Sequence, residues 1–172
     1  IDGPLETDYT DPSGCAILTV KGTYTKSLTL ASDADILIDG DLLRSGDPVL
    51  GLVALNFVRI KHGVRNCGGS CFVKADYHVQ AAILTLQHSF IVDNYNSGAK
   101  RGTLKVDGAI AQRFRGPVGT FNTSTGNGVT GYTKDYNYDN RLRYRSPPYF
   151  LDPIQASWRI IRANEQVPAP QL

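Results

Sequence analysis

Short apolar, β-rich runs recur along the first two thirds of the chain. Residues 27–39, 51–60, 82–92 and 103–114 each read as a short strand, a small or polar corner, and a second short strand. Triplets such as Leu28-Thr-Leu30 and Leu104-Lys-Val106 alternate apolar and polar side chains, the period of an extended chain with one buried face. Leu28, Leu52, Ile83 and Leu104 mark successive units, at a spacing that fits a repeat of roughly 20–24 residues with one insertion. Helical periodicity is nearly absent before the last 20 or so residues. These features predict a mainly β protein: a right-handed parallel β-solenoid (β-helix) with a C-terminal capping α-helix. The expected aliphatic ladder is Leu30, Ile36, Ile38, Leu52, Leu55, Val58, Ile60, Ile83, Leu86, Ile91, Leu104, Val106 and Ile110. An antiparallel sandwich is the rival, but no Asn-Gly or Asp-Gly hairpin lies between matched runs. Asp39-Gly40 and Asp107-Gly108 instead fall inside the repeats, where a solenoid needs corners.

The expected organisation follows. Residues 1–26 form an N-terminal connection or first rung. Residues 27–115 form the rungs, interrupted by a Cys-containing insert at 62–78. Residues 116–151 are an irregular Tyr/Arg-rich segment, within which 116–131 reads as a Gly/Thr-rich loop. Residues 152–166 form the cap helix, with Asp152 as N-cap, Pro153 at the first helical position, and Ile154, Trp158 and Ile161 on one face. Residues 167–172 are a tail. A helix laid over the last rung would protect a sheet edge that otherwise recruits strands.

Cys67 and Cys71 flank Gly-Gly-Ser and are expected to close a local disulfide, with three reduced thiols as the competing reading. Cys15 is left over and asks for a partner outside this segment. Such cysteine usage suits an oxidising, extracellular setting. No run reaches the roughly 18 apolar residues of a membrane span, and no signal peptide is visible. The net charge of +2 conceals a polarised chain, because the acids gather in the first 60 residues and the bases in the remainder. That polarity can steer head-to-tail association or bring a polyanion to one end.

Several constellations bear on chemistry. Asp33, Asp35, Asp39 and Asp41 lie at spacings that can chelate calcium, although the same residues cap backbone groups at corners. They are weak metal candidates, and no cofactor is expected. His62, His78 and His88 are far apart in sequence with no acidic neighbour. Lys105, Arg113 and Arg115 can supply cations beside Asp107, as in a β-helix acting on polysaccharides. No nucleophile elbow or Walker loop is present, so an enzyme is not expected. Asn122-Thr-Ser is formally a glycosylation acceptor and reads as chance. Between 132 and 149 the character changes: five Tyr lie there, and Arg141, Arg143 and Arg145 alternate. Tyr136, Tyr138, Arg141, Arg143, Tyr144 and Arg145 are the candidate contact residues, because Tyr and Arg anchor interfaces. They can equally cover an apolar flank, or stack on bases or sugars.

Several runs are similar to one family. They are Asp39-Gly-Asp-Leu-Leu, Val49-Leu-Gly-Leu-Val-Ala-Leu-Asn-Phe-Val, Ala81-Ala-Ile-Leu with His88-Ser-Phe90, Gly108-Ala-Ile-Ala-Gln-Arg-Phe-Arg-Gly-Pro-Val-Gly119, Arg141-Leu-Arg-Tyr, and Pro147-Pro-Tyr-Phe-Leu-Asp-Pro153. Over roughly residues 27 to 165 they resemble the C-terminal ectodomain of actinobacterial PilX-like pilus-assembly or exported surface proteins. The resemblance implies a surface-exposed β-solenoid, anchored through a hydrophobic N-terminal helix not present in this chain, and brings no catalytic residues. The expected function is therefore a non-enzymatic extracellular module of a type IV pilus-like or cell-envelope assembly, working by protein contacts or adhesion. Its partners would be other envelope or pilus subunits, an N-terminal segment of the same precursor, or further copies of itself. An extracellular glycan-binding or glycan-cleaving β-helix is the first alternative, and DNA capture at a pilus tip the second.

Overall fold

A computed structural model describes residues 17–63 and 74–150. The described chain is mainly β. Its strands are β1 (Leu18–Tyr24), β2 (Leu28–Ser32), β3 (Ile36–Arg44), β4 (Leu50–Ala54), β5 (Val58–Ile60), β6 (Tyr77–Val79), β7 (Ala82–Thr85), β8 (Phe90–Val92), β9 (Lys100–Gln112), β10 (Gly119–Phe121) and β11 (Gly128–Tyr138). They join in one 11-stranded sheet that does not close on itself. Every pairing is parallel except the β10–β11 hairpin.

The pairings sort into three ladders that the chain visits in turn. The first stacks β2, β4, β7 and the end of β9, so that Leu30 meets Leu52, Leu52 meets Ile83, and Ile83 meets Ile110. The second stacks the starts of β1 and β3 on β5 and β8, aligning Leu18, Ile36, Val58 and Phe90. The third runs from the ends of β1 and β3 through β6 and the start of β9 to β11. Parallel, in-register stacking puts like side chains above one another. Ile36, Ile38, Leu52, Val58, Ile60, Ile83, Val92, Leu104 and Val106 thereby share one buried core. Removing that much aliphatic surface from water is the main force holding these short strands together.

The corners have a physical cause. Strand β9 pairs through Leu104–Val106 with β6 and through Ala109–Gln112 with β7, so it changes ladders at Asp107-Gly108, as the sequence suggests. A Cβ at Gly108 would collide with the Ala81 carbonyl oxygen, so only glycine fits there. At the corner between β2 and β3 the Asp35 carboxylate accepts from the Phe57 backbone N–H at 3.1 Å. It also pairs with Arg59 Nε at 3.0 Å, with both side chains buried.

The structure corrects several expectations. Leu86 is 42% exposed and no part of the core. Leu104 pairs with Tyr77 in the third ladder, and Ile110 takes the place expected for it above Ile83. The insert ends sooner than residue 78, because Tyr77–Val79 is β6 and Tyr77 is buried. Residues 116–131 are not simply a loop: they contain β10 and the start of β11, whose Thr133–Tyr138 pair with Thr103–Gly108. That ladder is held by backbone hydrogen bonds, which polar side chains do not prevent. The expected cap helix at 152–166, the tail at 167–172, and Cys15, Cys67 and Cys71 lie outside the described residues.

Candidate functional site

The Tyr/Arg stretch divides between strand and strap. Tyr132 is buried, 5% exposed. Its hydroxyl donates to the Lys74 carbonyl at 2.7 Å, its ring meets Tyr77 edge-on at 5.6 Å, and burial pushes its pKa up to about 12. Tyr136 and Tyr138 lie on β11, Tyr136 edge-on to Phe90 at 6.2 Å. A 3-10 helix then spans Asn140–Arg143, with Asp139 as its N-cap accepting from the Arg141 backbone N–H.

From there the chain crosses back over the outer surface of the first ladder. Arg141 donates to Asp139 at 2.6 Å and also to Asp47, while Arg145 donates to the Asp47 carboxylate at 2.9 Å and to its carbonyl. Arg44 adds a second cation on Asp139 at 3.0 Å. The Arg141 hydrogen bond, with the charges of Arg141 and Arg44, holds the Asp139 carboxyl below the usual carboxylate range despite partial burial. Thr29 Oγ1 donates to the Pro148 carbonyl, and Pro147 and Phe150 sit over Gly51, where a side chain would have no room. Arg141 and Arg145 are thus engaged within the molecule. Tyr138, Arg143, Tyr144 and Tyr149 remain exposed, Tyr144 at 87% and Tyr149 at 99%.

A second candidate lies on the outer face of the third ladder. Asp41, Lys74, Asp76, His78, Lys105 and Asp135 line a groove of about 270 Å³. Beside it, His78 Nε2–H donates to Asp107 Oδ2 at 2.6 Å, and Lys105 Nζ stands 3.5 Å from the same oxygen. Burial alone would raise the Asp107 pKa, but the His78 hydrogen bond and Lys105 outweigh it and hold the carboxyl low. His78 therefore has an acidic partner that the sequence hides, 29 residues away in the next strand. Lys105 joins Asp107 as expected. Arg113 instead lies over the Phe114 ring, and Arg115 faces a different cleft.

The four aspartates do not converge. Asp33 is exposed, Asp35 caps a corner and pairs with Arg59, Asp39 pairs with Lys61 at 3.0 Å, and Asp41 pairs with Lys74 at 2.9 Å. Among the described residues no group of three or more His, Cys, Asp or Glu could hold a metal ion. His62 is buried, its Nδ1–H donating to the Asp93 carbonyl at 3.1 Å and its Nε2 accepting from Arg101 at 3.4 Å. His88 lies between β7 and β8 and stacks on Phe57 at 4.3 Å.

Arg115, one of the expected cations, belongs to a third site. Lys100, Arg115 and Lys134 surround a cleft of about 550 Å³ where β9, β10 and β11 meet. Lys134 carries no sequence signal as a site residue, because β11 has no apolar alternation to mark it as a strand. Among the described residues no helix is long and apolar enough to cross a membrane. No protein-family model, curated protein or solved structure matches the chain.

Proposed function

We propose that the three ladders are the faces of a right-handed parallel β-solenoid, and that this solenoid is a non-enzymatic contact module. The right-handed sense follows the general preference of parallel crossovers. In line with the sequence resemblance, the module belongs to an extracellular type IV pilus-like or cell-envelope assembly, anchored through a segment outside this chain. It works by binding other envelope or pilus subunits, or copies of itself.

One observation carries this reading: the exposure of Tyr138, Arg143, Tyr144 and Tyr149 in one short stretch whose neighbours Arg141 and Arg145 are pinned to Asp47. The pinned arginines hold the strap, and the free tyrosines present large, rigid contact area at low entropic cost. Replacing Tyr138, Arg143 and Tyr144 together by alanine is expected to abolish assembly or surface binding while leaving thermal melting within a few degrees of the parent. Unchanged assembly would refute the contact role.

The groove on the third ladder favours a second reading, a glycan-binding or glycan-cleaving β-helix, because carboxylates and cations line one face across adjacent strands. Turnover of an acidic polysaccharide that is lost in Asp107→Asn would support it, and turnover indifferent to that change would count against it.

A further inference from the structure

The cleft at the β10–β11 end gathers three cations that face no aspartate. Lys21, Arg44, Arg59, Lys61, Lys74, Lys105, Arg141 and Arg145 each stand against an aspartate. Lys26, Arg101, Arg113 and Arg143 form no ion pair with an aspartate among the described residues, and neither do Lys100, Arg115 and Lys134, but only the last three line this cleft. A neighbouring cleft of about 440 Å³ shares Arg115 and Lys134 and is walled by Phe90 and Tyr136.

Lys134 breaks a local rule. In the third ladder it follows Tyr77 and Leu104, both buried, so a cation occupies the row that is apolar in the two preceding strands. Partial burial and the nearby Arg115 charge hold its ammonium below the usual lysine range. A bound anion would relieve the repulsion between these two cations.

We propose that this cleft binds an acidic oligosaccharide, its anionic groups held by Lys100, Arg115 and Lys134. The volume suits a small-ligand site. Phe121, 66% exposed, offers a flat apolar face to the C–H side of a sugar ring, and Thr133 lines the same cleft. Nucleic acid fits less well. Three cations would neutralise about three phosphates, giving a salt slope of only about 2 for a single strand, too shallow for a polynucleotide receptor. This site requires neither the exposed tyrosines nor the groove beside His78, so it can stand or fall separately from both readings above.

Isothermal titration of the full chain with tetragalacturonate tests the proposal, with maltotetraose and a thymidine octanucleotide as comparisons. Tetragalacturonate is expected to bind and maltotetraose not to. Arg115→Ala and Lys134→Ala should each weaken binding by about tenfold or more. Lys134→Arg, which keeps the charge, should retain most of the affinity and shows that loss in the alanine variant is not loss of folding. Absence of tetragalacturonate binding, binding unaffected by both alanine variants, equal binding of maltotetraose, or tighter binding of the octanucleotide would each overturn it.

Discussion

At the residue scale, a few buried polar groups decide whether the corners form. Asp35 serves two neighbours at once, the Phe57 backbone N–H and the Arg59 guanidinium, and Arg59 reaches on to Asp93 at 3.1 Å. Burial raises the Asp93 pKa, and Arg59 opposes that rise, so this network tolerates two carboxylates only because the arginine lies between them. Removing Asp35 takes away one of the two buried carboxylates that Arg59 bridges and the acceptor of the Phe57 N–H. Asp35→Ala is therefore expected to destabilise the fold by about 3–5 kcal/mol in denaturant unfolding. A loss below about 1 kcal/mol would mean the network is dispensable. The sequence shows Asp35 among four aspartates of similar spacing. Only the stacking of successive circuits separates the one that caps a corner from Asp39 and Asp41, which hold surface lysines.

At the scale of elements, legibility tracks burial. The first ladder is visible in the sequence because its row is aliphatic, Leu52 under Ile83; in the second, Phe90 rather than the expected Ile91 stands on Val58, and Ile91 pairs with Arg59. The change of ladder at Asp107-Gly108 is visible because glycine marks a close backbone approach. Gly108→Ala is expected to cost about 3 kcal/mol or more, read as a lower melting temperature, since its Cβ would meet the Ala81 carbonyl. An unchanged melting temperature would mean that β9 does not turn there. Strand β11 is illegible for the opposite reason. Thr133, Lys134, Asp135 and Asn137 carry no apolar pattern, and the strand is held by main-chain pairing to β9. The strap is illegible too, because the partner of Arg141 is Asp47, 94 residues earlier. Two of the six expected contact residues, Arg141 and Arg145, thereby prove to be clasps.

At the scale of the whole molecule, the architecture follows from one repeated operation, the laying of each circuit in parallel register on the last. That operation makes the core, and it brings His78 to Asp107 and Lys134 above Leu104. It also leaves the strap's tyrosines outward. All of the functional proposals depend on it. An antiparallel sandwich of the same strands would scatter these groups and leave the exposed stretch with no clasp at Asp47. The most direct test is nuclear Overhauser spectroscopy of the labelled full chain across the first two ladders. Parallel stacking predicts amide-to-Hα cross-peaks linking β4 with β7 around Leu52 and Ile83, and β5 with β8 around Val58 and Phe90. It predicts no strong Hα–Hα cross-peaks between those strands. Strong Hα–Hα cross-peaks between them, the mark of antiparallel pairs, would contradict the account.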